Sequence, residues 1–266
     1  MAGATTAERG EDRRQSDSGR RPTAGRRRWF GRPRLLAALL VLAVALGGFG
    51  AWALYGSDWL RVERVSVRWQ EGPRVLTEEQ VLGAAGVALG SPMASLDKGA
   101  VSDRLLAELP RLESVDVVRG WPHGVSLKVT ERRALALVPG GGGYTEVDRE
   151  GVLFGEREEA EPGVPLLELE LTDSPSLRRF GEDRIRRAAV SVVAALPEGV
   201  RGDTRMVRVT SYDSITLELS GDRVVRWGSA EDSAAKADAL VAVMNAADGA
   251  RHFDVSAPSA PAVSGG

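Results

Sequence analysis

The chain has 266 residues and no cysteine, which excludes disulfides, thiolate metal sites and cysteine nucleophiles. Histidine is almost as scarce: His123 and His252 are the two present, and neither has another ligand type at a metal-binding spacing. Lysine occurs at Lys98, Lys128 and Lys236 alone, so arginine supplies nearly all of the positive charge. That bias fits a genome rich in G and C and says little about function. No Gly-x-Ser-x-Gly elbow marks a nucleophile. The four-glycine run Gly140–Gly143 lacks the Lys-Ser/Thr and the following helix that a phosphate-cradling loop needs, so it reads as a flexible loop. Acidic neighbours such as Glu158-Glu159 and Glu231-Asp232 read as solvated faces or helix N-terminal charge. These absences together read as a non-enzyme with no cofactor, no metal and no small-molecule substrate.

Charge is nearly balanced, at −2, but unevenly spread. Residues 1–34 hold ten arginines against four acidic residues, leaving −8 on the remainder. This pattern is a basic tail on an acidic globular part, unlike the folded basic face of a nucleic-acid-binding domain. Residues 1–34 are read as a disordered cytoplasmic tail.

From Leu35 to Gly56 there are 22 consecutive uncharged residues. As a helix they extend roughly 33 Å, enough to cross the hydrocarbon of a bilayer. Trp29 and Phe30 precede the run, and Trp52, Tyr55 and Trp59 lie near its end, as interfacial aromatic anchors do. Arg26, Arg27, Arg28, Arg32 and Arg34 stand before it, and only Arg61 and Arg64 within ten residues after it. The positive-inside rule then places the N-terminus in the cytoplasm and residues 57–266 beyond the plasma membrane. Ala51-Trp52-Ala53 leaves a cleaved signal peptide as an alternative, and the paired arginines suggest twin-arginine export. The length of the apolar run argues against both.

Beyond the membrane the fold class reads as α+β. Val62–Trp69 alternates with period two, as a half-buried strand does. Thr77 and Gln80 form a capping-box pair opening a short helix to Ala85. A second helix runs from about Asp97 to Leu109 with Val101, Leu105 and Leu109 on one stripe, and Pro110 stops it. Strands Ser114–Arg119 and Val125–Glu131 follow, joined by Gly120-Trp121-Pro122-His123-Gly124. Two helices over a three-stranded sheet would bury both apolar faces. Farther on, Asp148 and Gly151 read as turn formers between Tyr144–Val147 and Val152–Phe154. A helix over Glu182–Leu196 carries Ile185, Ala189, Val192 and Leu196. A hairpin spans Ile215–Leu219 and Arg223–Trp227. Ser229 with Asp232 is expected to cap a helix to Ala247 whose stripe is Ala237, Leu240, Val241 and Met244. Arg251–Val255 reads as the last strand and 257–266 as a disordered tail.

These residues resemble the FtsQ/DivIB family of bacterial division proteins, over essentially residues 26–256. Val62–Ala136 resembles a POTRA domain in Val62-Glu63-Arg64-Val65, Gly90-Ser91-Pro92-Met93 with Leu96-Asp97, Leu109-Pro110, Arg119-Gly120-Trp121-Pro122 and Val129-Thr130-Glu131-Arg132. Met93 stands where an aromatic residue or Leu is more usual, a small departure because Met packs adaptably. Val147-Asp148, Gly151-Val152-Leu153-Phe154, Pro162–Leu166, Trp227-Gly228 with Lys236, and Asp254-Val255-Ser256 resemble the family's β-domain. The resemblance implies a POTRA domain over 57–133 and a mixed β-domain with packed helices over 134–256. It also implies a scaffold at the division septum that joins FtsB- and FtsL-like single-pass proteins and helps control septal peptidoglycan synthesis. In the family the last β-domain strand offers its edge to an FtsB-like partner. The matching stretch here is Arg251, His252, Phe253, Asp254, Val255 and Ser256, with Phe253 and Val255 filling the core. Arg119, Trp121, Pro122, Glu131, Asp148 and Gly151 are expected to be structural, Trp121-Pro122 as a packed corner. Two rival readings remain. A POTRA-bearing export chaperone would need a C-terminal barrel, whereas residues 137–266 hold too few strands. A secreted hydrolase would require cleavage near Ala53.

Overall fold

The computed structural model of the protein describes residues 32–56, 58–171, 175–247 and 249–265. The basic tail therefore lies outside the described residues up to position 31. The described residues fall into two units, one ending at Ala51 and the other beginning at Trp52. The first contributes helix α1, Arg32–Ala51, which is continued by a π-helical turn over Trp52–Gly56. The stretch Arg34–Gly56, 23 residues with a mean hydropathy of 2.3, has no buried residue and is long and apolar enough to cross a membrane.

The second unit begins with a small sheet. Strand β1 (Arg64–Trp69) leads to helix α2 (Glu78–Ala85), helix α3 (Lys98–Glu108) and strands β2 (Leu112–Gly120) and β3 (Gly124–Glu131). The strand order is β1-β3-β2, with β1 parallel and β2 antiparallel to the central β3. The capping box forms as expected: Gln80 N donates to Thr77 Oγ1 (3.2 Å) and Thr77 N to Gln80 Oε1 (2.8 Å). Asp97 caps α3 by accepting from Ala100 N at 3.0 Å. Val81, Ala85, Val101 and Leu105 pack on Leu112, Val117, Val125, Leu127 and Val129 to form the first core.

A larger sheet follows. Its strands are β4 (Ala136–Gly140), β5 (Gly143–Val147), β6 (Leu153–Arg157), β7 (Leu166–Leu169), β8 (Thr204–Ser211), β9 (Ser214–Leu219), β10 (Arg223–Gly228), β11 (His252–Asp254) and β12 (Ala262–Ser264). Between β7 and β8 lie helices α4 (Pro175–Phe180), α5 (Glu182–Ala195) and α6 (Glu198–Asp203), and between β10 and β11 lies α7 (Ser233–Ala246). The nine strands run in the order β12-β11-β10-β9-β8-β7-β4-β5-β6. Helices α5 and α7 pack together, α5 against β8 and α7 against β11. There Ile185, Ala189, Val192 and Leu240 meet Leu167, Val207, Ile215, Leu217, Trp227 and Phe253 in the second core. Away from that core the sheet is polar: Arg208 of β8 pairs with Glu218 (2.8 Å), Glu170 (3.1 Å) and Glu168 (3.3 Å). The nearby Glu218 carboxylate, chiefly, raises the Arg208 pKa, against a smaller lowering from burial.

Four expectations change. The glycine run is not a loose loop: Gly140 pairs with Gly143, and Gly141 and Gly142, at φ 62° and 90°, make a two-residue hairpin turn. Positive φ at both positions suits the strand twist and favours glycine. Ser229 and Asp232 do not cap α7 through their side chains. Ser229 instead accepts from the buried Lys236 ammonium, through its carbonyl at 2.9 Å and its hydroxyl at 3.4 Å. Burial lowers the Lys236 pKa, a shift that Asp232 and Glu231 partly oppose. Val241 faces outward from α7. Finally, the expected unstructured tail 257–266 holds a strand, because 262–264 form β12 against β11. Main-chain pairing satisfies the outer N–H and C=O groups of β11 and needs no apolar pattern, so composition does not reveal it.

Candidate functional site

Strand β11 is parallel to β10, with Val224, Val225 and Arg226 opposite His252, Phe253 and Asp254. Flanking bonds extend the ladder: Val224 N donates to Arg251 O (2.7 Å) and Val255 N to Arg226 O (3.0 Å). The pleat sends alternate side chains to opposite faces. Phe253 and Val255 are buried in the second core, while Arg251 and His252 are exposed and Asp254 is half-buried. Burial works to raise the Asp254 pKa, but hydrogen bonds from Ser256 Oγ (2.6 Å) and Ser256 N (2.9 Å), with Arg226 at 3.4 Å, prevail and lower it. All six residues of the expected edge thus fall on one short strand and its flanks.

That strand is not the outermost one. β12 runs antiparallel beside it, pairing Ser264, Val263 and Ala262 with His252, Phe253 and Asp254. Arg251 N also donates to Gly265 O at 2.9 Å. The side chains of β12 are exposed, Val263 by 43%. β12 is therefore held chiefly through its main chain.

The residues expected to be structural lie elsewhere, in two groups. Arg119, Trp121 and Pro122 stand where β2 turns into β3. Arg119 Nε donates to Met93 O at 3.0 Å and Nη2 to Leu96 O. Trp121 is 53% exposed, so the corner is not packed as expected. At the opposite end of β3, Glu131 is 1% exposed and accepts from Val75 N and Leu76 N, each at 2.9 Å. Its neighbour Arg132 bonds Asp148 Oδ2. Asp148 Oδ1 accepts from Glu150 N (3.0 Å) and Val152 N (2.8 Å), forming the turn closed by Gly151 at φ 77°.

Sequence reasoning missed the partners that complete this junction. Arg111 pairs with the buried Glu146, and its guanidinium lies 5.3 Å from the Phe154 ring centre. Arg157 reaches the same carboxylate at 3.4 Å and also pairs with Glu161. These groups line a cleft of about 400 Å³ with Arg132 and Arg133. Arg186 of α5 donates to Gly151 O at 2.9 Å. Arg111 and Glu146 stand 35 residues apart on different elements, and such a pair carries no signal in one sequence. Among the described residues, no group of three or more His, Asp or Glu stands placed to hold a metal ion.

Comparison with known proteins matches this architecture. Residues 60–132 match the model of the POTRA domain, FtsQ-type, and residues 136–256 that of the cell division protein FtsQ/DivIB C-terminal region. The cell division protein FtsQ of Streptomyces collinus is 54% identical over the whole of both chains. That of Streptomyces coelicolor is 52% identical, again over the whole of both. A Mycobacteroides abscessus relative of the same name is 31% identical over 90% of this chain and 72% of its own. The solved extracytoplasmic domain of DivIB from Geobacillus stearothermophilus aligns at 17% identity and a TM-score of 0.32, over 44% of this chain and 95% of its own. Whole-length identity above half, with both domain models in their expected order, places the chain in the FtsQ/DivIB family of cell division proteins.

Proposed function

We propose that this membrane-anchored division protein is a non-catalytic scaffold at the septum, with its N-terminus cytoplasmic and residues 57–266 outside. It takes up FtsB- and FtsL-like partners along the outer edge of β11, and through them helps control septal peptidoglycan synthesis. The observation that carries this reading is the state of that edge. β11 is anchored on its inner side by β10 and by the buried Phe253 and Val255. On its outer side it is covered by a three-residue strand with exposed side chains. A partner strand can offer the same main-chain bonds over a longer register and add side-chain contacts to Arg251, His252 and Asp254. It then takes the place of β12, which supplies little besides the ladder.

Co-purification from membranes tests this with three forms: the full chain, a chain ending at Ser256 and a chain ending at Ala250. The full chain is expected to bring down an FtsB/FtsL-like pair. The form ending at Ser256 should bind it at least as well, because only the covering strand is gone. The form ending at Ala250 should lose the pair while circular dichroism shows the rest still folded. Retention of the pair by that shortest form would remove the edge from the interface.

A further inference from the structure

At the end of the small sheet where the chain arrives from the apolar run, three loops are fixed to one another by main-chain and arginine hydrogen bonds. Gly90 N donates to Val62 O (2.8 Å), Val62 N to Ser91 O (2.9 Å) and Arg61 Nη1 to Gly90 O (2.7 Å). On the other side of the same segment, Glu63 N and Arg64 N both donate to His123 O, at 2.9 and 3.2 Å. The bonds from Arg119 to the carbonyls of Met93 and Leu96 close the set. Each loop presents one large apolar side chain to the outside: Trp59 at 82% exposure, Leu89 at 66% and Trp121 at 53%. Exposed apolar groups gathered on rigid loops mark a surface that meets another apolar medium.

The position of the membrane segment says which medium. The apolar stretch ends at Gly56, three residues before Trp59, and a chain advances at most about 3.5 Å per residue. Trp59 is thus tethered within roughly 10 Å of the bilayer, inside or next to a headgroup layer about 5–8 Å thick. Leu89 and Trp121 are bound through Val62, Glu63 and Arg64, only a few residues farther on. Charges of both signs are interspersed at this end. Asp58 pairs with Arg61 at 2.6 Å, and Glu63 and Arg64 are neighbours in the chain. Attraction to anionic lipid is therefore weak, and the apolar side chains carry the contact.

We infer that this end of the small sheet rests in the interfacial layer of the outer leaflet, with Leu89 and Trp121 inserted beside Trp59. The contact fixes how the small sheet stands on the membrane, which a single helix with a free linker would not do. It is independent of the partner-strand reading.

The absence of cysteine makes site-specific labelling direct. Leu89→Cys and Glu108→Cys, the latter at the far end of α3, each receive one nitroxide in the full chain. The protein is reconstituted into phosphatidylcholine vesicles with and without phosphatidylglycerol. Spin relaxation by oxygen, which partitions into lipid, is compared with relaxation by a water-soluble nickel chelate. The label at position 89 should show a severalfold higher oxygen-to-nickel ratio than the label at 108, in both lipid mixtures and in high salt. Equal ratios at the two sites, or a difference that high salt abolishes, overturn the inference. Tryptophan quenching by brominated lipid gives a second reading on unlabelled protein. Trp121→Phe should reduce the quenched fraction, whereas Trp69→Phe should not. A quenched fraction unchanged by Trp121→Phe overturns it equally, whether or not the labelled forms fold.

Discussion

Glu131 does more for the small sheet than its place in a strand suggests. Its carboxylate accepts from two successive backbone amides, those of Val75 and Leu76, and so fixes the segment that leads into α2. Leaving both donors without an acceptor costs about 1–3 kcal/mol each. Glu131→Ala is therefore expected to lower the unfolding free energy of the part beyond the apolar helix by about 2–6 kcal/mol, and Glu131→Gln, which keeps one acceptor oxygen, by less. Urea titration of both variants checks this, and a shift in Glu131→Ala no larger than that of an exposed glutamate would count against it. Asp254 makes a second prediction, in pH. Its folded pKa is lowered, so what it contributes is present above the unfolded carboxylate pKa and is lost as pH falls through the folded value. The Ser256 amide, bonded to Asp254 Oδ1, should stay protected from exchange at pH values where a free aspartate is already protonating. Asp254→Asn should abolish that acid dependence. Protection that follows the ordinary aspartate titration would show that Ser256 and Arg226 do not hold the carboxylate.

Elements were legible where side chains carry their period, and illegible where the main chain does the work. The stripe Ile185, Ala189, Val192 and Leu196 announces α5, and all four residues are buried. β8 carries a period of its own, since Val207 and Val209 alternate and both are buried, although it is not among the expected strands. β7 has four residues, too few for a period to stand out. β12 could not be found this way, since Ala262 and Ser264 are small and exposed and the strand exists because β11 offers unpaired groups. For the same reason, position 251–256 could be assigned to the last strand of the core but not to the true margin of the sheet. The glycine run failed differently. Four glycines are compatible with looseness, but two flanking strands in register convert the middle pair into a tight turn. Its consequence is measurable: Gly141→Ala and Gly142→Ala should each cost about 1–2 kcal/mol, because a Cβ is strained at positive φ. Neither site has any atom within 4 Å of the added Cβ, so a loss would come from the backbone alone. Two variants with unchanged thermal midpoints would restore the flexible-loop reading.

For the whole molecule, the question is whether the two cores beyond the apolar helix act as one body. The first core is closed by α2 and α3 and the second by α5 and α7. Between them run Arg111 to Glu146 and Arg132 to Asp148, with both carboxylates buried. A scaffold that holds a partner strand at a set position relative to the bilayer needs such a junction to be stiff, since a hinge there would let the edge of β11 wander. Buried ion pairs serve stiffness better than net stability, because desolvation offsets most of the attraction. Removing Glu146 is another matter, for it leaves the largely buried Arg111 without its carboxylate at a cost of about 3–5 kcal/mol, while Arg157 keeps Glu161. Glu146→Ala should therefore uncouple the cores, and a single calorimetric transition should separate into two. Restoring the balance with Arg111→Met in the same chain should recover most of the stability but not the coupling, as no directional contact replaces the pair. A double-mutant cycle over Arg111 and Glu146 is expected to give an interaction of about 0.5–3 kcal/mol. If Glu146→Ala leaves one transition at an unchanged midpoint, the Arg111–Glu146 pair does not couple the cores, and the coupling would rest on Arg132 with Asp148 and on the link at 132–136.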